Sequence, residues 1–194
     1  MKKKKNLEAP SLDQLEQELS RERYKHRYST ALRSTVYSLM VVASFAILIA
    51  TLVMPVLKVY GSSMDPTLQE GQIIVAVKST QPSRGDLVAF YFGNKLLVKR
   101  CIAGPGDWVD IDESGTVSIN GEVLDEPYVS DKALGQCDLE FPYQVPESRY
   151  FLLGDHRTTS VDSRSSLVGC VSEEQIIGRV VFSVWPLSKF GTVN

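Results

Sequence analysis

The chain has 194 residues, with 21 Lys/Arg against 23 Asp/Glu and a net charge of −2, enough for a membrane anchor and one domain of ordinary size. A balance this close to neutral argues against nucleic acid as the main partner. The only histidines are His26 and His156, and the three cysteines, Cys101, Cys137 and Cys170, show no paired spacing, which excludes the usual zinc signatures, a His-rich metal site and a disulfide-dense scaffold.

Charge is nonetheless unevenly spread. Residues 1–33 carry nine Lys/Arg against five Asp/Glu, and residues 34–194 carry twelve against eighteen, a division that points to two compartments. Lys2 to Lys5 form a basic tail. Ser11, three residues before Gln14, has the spacing of a capping box. Leu12, Leu15 and Leu19 then repeat at helical spacing, which predicts an amphipathic juxtamembrane helix to about Arg33. No charged residue occurs from Ser34 to Leu57, a run longer than the ~20 residues that cross a bilayer core. It is also too long for a secretory h-region, and Val53-Met54-Pro55-Val56-Leu57 offers no small-residue cleavage site. Residues 34–57 therefore read as an uncleaved transmembrane helix. Arg21, Arg23, Lys25, Arg27 and Arg33 precede it, whereas only Lys58 and Lys78 follow closely. The positive-inside rule puts residues 1–33 in the cytoplasm and residues 58–194 outside, single-pass in the plasma membrane.

Beyond the anchor the chain reads as mainly β. Ile73–Val77, Leu87–Phe92, Lys95–Ile102, Trp108–Ile111, Thr116–Ile119, Tyr150–Leu153 and Arg179–Val184 are short runs of β-formers punctuated by Gly, Pro, Asn and Asp. Asn120-Gly121 between alternating segments predicts a hairpin. Only Ser172–Ile177 looks helical, and residues 125–149 form the least regular stretch.

Four sites carry candidate chemistry. Ser62 and Ser63 sit in a Gly61-Ser62-Ser63-Met64-Asp65-Pro66 turn just past the apolar run. Strand alternation places Leu97, Lys99 and Cys101 on one face of 95–102. A lysine so flanked is poorly solvated, which lowers an amine pKa and makes a neutral base for a serine hydroxyl. The same position also suits an ordinary lysine whose head snorkels to water. His156, with Asp155 and Asp162 near in sequence, leaves a Ser-His-Asp arrangement open, and Cys101 is a further, unflanked thiol.

Taken in order, Gly61-Ser62-Ser63-Met64-Asp65-Pro66-Thr67-Leu68, Arg84-Gly85-Asp86-Leu87-Val88-Ala89-Phe90, Val98-Lys99-Arg100-Cys101-Ile102-Ala103-Gly104-Pro105-Gly106-Asp107 and Gly154-Asp155-His156-Arg157…Ser160-Val161-Asp162-Ser163-Arg164 resemble the boxes of bacterial type I signal peptidases, of the Gram-positive kind. The resemblance spans nearly all of 35–194, including Trp185-Pro186-Leu187. It implies an extracytoplasmic antiparallel β-sheet domain of that family's type, with a Ser63 nucleophile and a Lys99 general base. It further implies a Ser160 hydroxyl on the lysine nitrogen, an Asp162–Arg164 structural pair, and Arg100 as neighbour of the base. The implied partners are the signal peptides of exported preproteins, the lipid bilayer and, nearby, the secretion translocon. Neither cofactor nor metal is expected. Val59, Tyr60, Met64, Leu68, Leu97 and Val98 are the expected pocket walls for a substrate lying extended along a sheet edge.

The departures lie in the last box, where His156, Thr158 and Thr159 stand for the family's frequent Asn, Asp and Asn, and Ser165-Ser166-Leu167 follows Arg164. Gly61 stands where some members carry a serine whose hydroxyl helps hold the oxyanion. An inactive anchored β-domain acting as a binding module is the alternative that these changes motivate. The related self-cleaving repressor class shares the dyad but has no anchor.

Overall fold

The computed structural model describes residues 11–79 and 81–193; the basic run Lys2–Lys5 lies outside them. The chain divides into two compact units, Met1–Ile49 and Ala50–Asn194. A single helix, α1 (Leu12–Val53, 42 residues), spans the juxtamembrane and apolar segments without a break. It opens on the expected capping box: Ser11 N donates to Gln14 Oε1 (3.1 Å) and Gln14 N to Ser11 Oγ (3.4 Å). Among the described residues it is the one helix long and apolar enough to cross a membrane, and its apolar window buries nothing against protein.

The end of that helix corrects the expected span of 34–57. Helix stops at Val53, and Val56–Lys58 is a strand. Pro55 explains the stop, because it lacks an N–H and pushes the residue before it out of the α region. The uncharged helical part, 34–53, still reaches the ~20 residues a span needs.

The remaining strands are β2 (Ile73–Val77), β3 (Leu87–Phe92), β4 (Lys95–Ala103), β5 (Trp108–Ile111), β6 (Val117–Ile119), β7 (Glu122–Val123), β8 (Tyr143–Gln144), β9 (Arg149–Leu153), β10 (Val171–Ser172), β11 (Ile176–Trp185) and β12 (Gly191–Thr192), with β1 being Val56–Lys58. They form two antiparallel sheets, ordered β1-β2-β11-β3-β4-β9-β10 with β12 also on β11, and β7-β6-β5-β8. Every strand expected from composition is present, several within a residue of the expected ends. The Asn120-Gly121 hairpin joins β6 to β7 with both residues at positive φ (54° and 86°), as a two-residue turn with the twist of the strands requires. The segment expected to be helical at 172–177 holds only a 3-10 turn, Glu173–Gln175.

Two apolar clusters bear on the site. Val59, Met64, Leu68, Ile74, Ala76, Leu87, Ala89 and Val180 make one, with Val98 and Leu96 packed on it. Val88, Phe90, Cys101, Tyr150, Leu152, Val171 and Ile176 make the other, with Leu97 against it. β4 contributes to both in alternation, so the strand that carries Lys99 is covered on each face.

The irregular 125–149 stretch has little regular pairing of its own and is tied down by buried arginines. Arg157 forms a two-pronged pair with Glu126 and also donates to Gly154 O (3.1 Å). Arg164 donates to the carbonyls of Ala133 and Leu134 (3.1 and 2.7 Å). Both pairs are almost wholly enclosed. Glu126→Ala, which strands the Arg157 charge, is expected to cost about 3–5 kcal/mol in denaturant unfolding of the full chain in detergent. A loss under 1 kcal/mol would refute this anchoring role.

Candidate active site

The Ser63 loop is built from short-range bonds. Asp65 N donates to Ser62 O (3.0 Å) and Leu68 N to Met64 O (2.8 Å), so the segment closes on itself. Met64 and Leu68, 2 % and 0 % exposed, drive into the core beneath. Ser63 is thereby left half-buried at the surface of the domain.

Lys99 comes from the middle of β4, opposite Val88 of β3. It is 3 % exposed, with Leu97 and Cys101 on either side along the strand packed in the same cluster as Val88. Its Nζ donates to Ser160 Oγ at 2.9 Å. Burial is the main cause that lowers its pKa to about 8; Asp162 and Asp155 oppose the shift and Arg164 assists it.

The 154–164 segment brings these two parts together. His156 N donates to Ser63 O (3.1 Å), and Ser160 N donates to His156 O (3.1 Å). The fit is tight at Gly154, where an added Cβ would collide with the Ser160 hydroxyl and the Ser63 carbonyl. Asp162 accepts from Gly154 N (3.0 Å) and from Arg164 Nε and a terminal nitrogen (2.8 and 2.9 Å). Arg164 in turn donates to the carbonyls of Arg157 and Ser160 (2.9 and 3.4 Å). The pair thus holds the loop that carries Ser160.

Arg100 points to the other side of β4. It grips Asp155 with two bonds (2.9 and 2.8 Å), donates to Gly85 O (2.8 Å), and stacks 3.9 Å from the centre of the Tyr128 ring. Asp155 also accepts from Thr67 Oγ1 (2.6 Å), tying the loop after Ser63 to the same pair. Asp155 and Asp162 are therefore spoken for by arginine, and neither bonds His156. The His156 ring meets only the Ser62 carbonyl among the described residues (Nδ1, 3.3 Å). No Ser-His-Asp relay is assembled. Nor is Cys101 a nucleophile: burial pushes its thiol up to about 12, and only the thiolate reacts. All three cysteines are free thiols.

A cleft of about 30 Å³ opens beside Ser63, lined by Val59, Tyr60, Met64, Leu97 and Val98 together with Leu57, Lys58, Gly61 and Leu96. It continues into a broader one of about 640 Å³ along Val56, Leu57, Tyr60, Leu96 and Leu97, with Lys58 and Lys95 at its borders. Leu68, expected in the wall, is instead wholly buried in the core, because the turn after Pro66 points it inward.

Several site-building residues escaped the sequence reading. Thr67 and Arg157 stand in the family boxes with no role assigned to them; they and Glu126 act through contacts across long chain separations, and a lone Glu in an irregular stretch gives no signal. Leu57 and Leu96 adjoin residues already singled out and were legible as period-2 neighbours. Of the departures in the last box, Thr158 and Thr159 are exposed, and Ser166 has its own partner in Asp138 (Oγ–Oδ2, 2.6 Å).

The depressed lysine pKa has a consequence for stability. Below about pH 8 Lys99 is charged in both the folded and unfolded chain, and the burial penalty is carried in full. Between about 8 and 10.5 the folded protein has released a proton that the unfolded chain keeps, so this residue's contribution to stability rises with pH and levels off above. The difference in unfolding free energy between wild type and Lys99→Met is expected to climb across that window in favour of wild type. A flat difference would mean the amine is not desolvated.

A model of the family described as "Signal peptidase, peptidase S26" matches residues 32–185. A signal peptidase IB of Staphylococcus aureus (strain COL) is 36% identical over 150 residues, 67% of this chain and 77% of that protein. A signal peptidase I of Streptococcus pneumoniae serotype 4 (strain ATCC BAA-334 / TIGR4) is 33% identical over 174 residues, 70% of this chain and 84% of its own. A crystal structure of a signal peptidase I from Enterococcus faecalis V583 aligns with TM-score 0.42 and 31% identity, covering 51% of this chain and 96% of that one. The chain belongs to the signal peptidase, peptidase S26, family.

Proposed function

We propose that the protein is a membrane-anchored serine endopeptidase that removes N-terminal signal peptides from secreted preproteins after small residues. The observation that carries this reading is the buried Lys99 Nζ on Ser160 Oγ (2.9 Å), in a segment that also binds the Ser63 backbone (3.1 Å). Family membership supports the substrate class.

Ser63 is the proposed nucleophile and Lys99 the general base. The Ser63 hydroxyl oxygen attacks the scissile carbonyl carbon while its proton passes to the neutral amine. As the tetrahedral intermediate collapses, the C–N bond breaks and the lysine returns that proton to the departing amine. Water then attacks the acyl carbon, gives a proton to Lys99, and Ser63 leaves with its hydroxyl restored. Ser160 serves by accepting from the amine, which limits a four-carbon stem to the few rotamers that reach the serine. A hydroxyl does so without adding charge, whereas a carboxylate there would raise the lysine pKa. Asp162 and Arg164 hold Ser160 in place, and Arg100 fastens the base strand to the loop through Asp155.

Substrate selection follows from the cleft. The cleft beside Ser63 is narrow and walled by Val59, Met64, Leu97 and Val98, which favours small side chains next to the cut. The wider apolar continuation suits the extended, hydrophobic part of the signal peptide. The helix Leu12–Val53 anchors the enzyme in the bilayer, where preproteins emerge from the secretion translocon, with the β-domain outside.

Purified wild type is expected to cleave a preprotein with a small residue before the cut, at a rate that rises with pH through about 8. Ser63→Ala and Lys99→Arg should be folded and inactive, because guanidinium stays charged. In the same assay Ser160→Ala should lose roughly ten- to a thousand-fold in turnover, about 1.4–4 kcal/mol. A folded wild type that binds the preprotein without cutting it would favour a binding module instead. Full activity in Lys99→Arg would remove the lysine from the mechanism.

Orientation has its own test. Protease added to cells stripped of wall should digest residues 58–194 and spare the N-terminal helix. A protected β-domain would reverse the assigned side.

A further inference from the structure

We propose that His156 is a positioning residue that aims and polarises the Ser63 backbone N–H toward the oxygen of the bond being cut. The proposal rests on the peptidase reading above, since it concerns the same serine.

Attack on a carbonyl puts negative charge on its oxygen, and preorganised donors facing that position are among the largest contributions to such catalysis. Neither Gly61 nor Thr67 offers a free side-chain donor there. Gly61 has no side chain, and Thr67, a short way along the loop, has its hydroxyl on Asp155 (2.6 Å). The Ser63 amide is different, because no acceptor among the described residues takes its N–H.

Where that amide points is decided by its own carbonyl partner. A trans peptide is planar, with C=O and N–H directed oppositely. The carbonyl of the Ser62–Ser63 peptide accepts from Asp65 N (3.0 Å) within the loop and from His156 Nδ1 (3.3 Å) across the site. A carbonyl oxygen can only accept, so Nδ1 carries the proton. Drawing Ser62 O onto His156 turns the Ser63 N–H away from the 154–160 segment, on the loop that lines the cleft. Accepting at the oxygen also polarises the amide and strengthens its N–H as a donor. The next carbonyl, Ser63 O, is held by the backbone N–H of the same residue (3.1 Å). Two consecutive peptide planes are thus pinned by one residue, whose own carbonyl accepts from Ser160 N (3.1 Å). His156 therefore keeps the amide donor and the hydroxyl that orients Lys99 in one frame.

Asparagine and leucine separate aiming from mere filling. Asn Nδ2 stands as many bonds from the backbone as His Nδ1 and can donate to Ser62 O, whereas Leu has similar bulk and no donor. With purified full-length enzyme in detergent, His156→Leu is expected to lower kcat roughly ten- to a hundred-fold, part of the 10²–10³ that losing a donor outright costs, with KM little changed. His156→Asn should restore most of kcat. Wild-type kcat in His156→Leu, or an effect confined to KM, would overturn the proposal. Should His156→Leu fail to fold, ¹⁵N NMR of the wild-type imidazole decides: the neutral ring must carry its proton on Nδ1, and a bare Nδ1 overturns the clamp. A folded wild type that cuts no preprotein would sink the peptidase reading, whereas cleavage unaffected by His156→Leu would sink only this inference.

Discussion

An amine in an apolar wall is the constraint around which the domain is arranged. Lys99 is enclosed by β3 and β4 neighbours, and burial alone outweighs the nearby carboxylates in setting its proton affinity. A charged lysine is costly in such a place, and that cost is relieved only as the proton leaves above about pH 8. The same burial that weakens the fold equips the amine to act as a base. Among the described residues it leaves the side chain one hydrogen-bond partner, Ser160, which is neutral.

Keeping that site neutral requires that surrounding charges cancel. Asp162 is matched by Arg164, Asp155 by Arg100 and Glu126 by Arg157, each pair buried and joined by at least two hydrogen bonds. An unpaired Asp162 would hold the Lys99 proton, whereas its arginine offsets that pull. The pairs do mechanical work as well. Their remaining donors reach carbonyls of Gly85, Ala133, Leu134, Gly154, Arg157 and Ser160. Loops with few ladder bonds are thereby held rigidly against the sheets, and the Ser63 loop docks on one of them. Buried pairs of this kind add little net stability over apolar packing; here they give position.

The strands, the hairpin at Asn120-Gly121, the helix cap at Ser11 and the depressed lysine were legible because each depends on near neighbours in the chain. Period-2 alternation put Leu97 and Cys101 beside Lys99, and both share its apolar cluster with Val88. The ordered boxes identified the family. The apolar count overran the helix end because hydropathy does not register where Pro55 stops a helix, and Val56–Lys58 is apolar enough for either state.

What the sequence by itself determined, then, is the element plan, the apolar helix, the family and the residue types that carry the chemistry, since propensity, periodicity and motif order are local properties. Only the tertiary structure decided the company those residues keep. Glu126 meets Arg157, Thr67 meets Asp155, and Ser63 meets His156 across long stretches of chain, while Leu68 turns inward from the cleft. Such pairings depend on how the sheets and loops pack as a whole, and no window of sequence contains both partners.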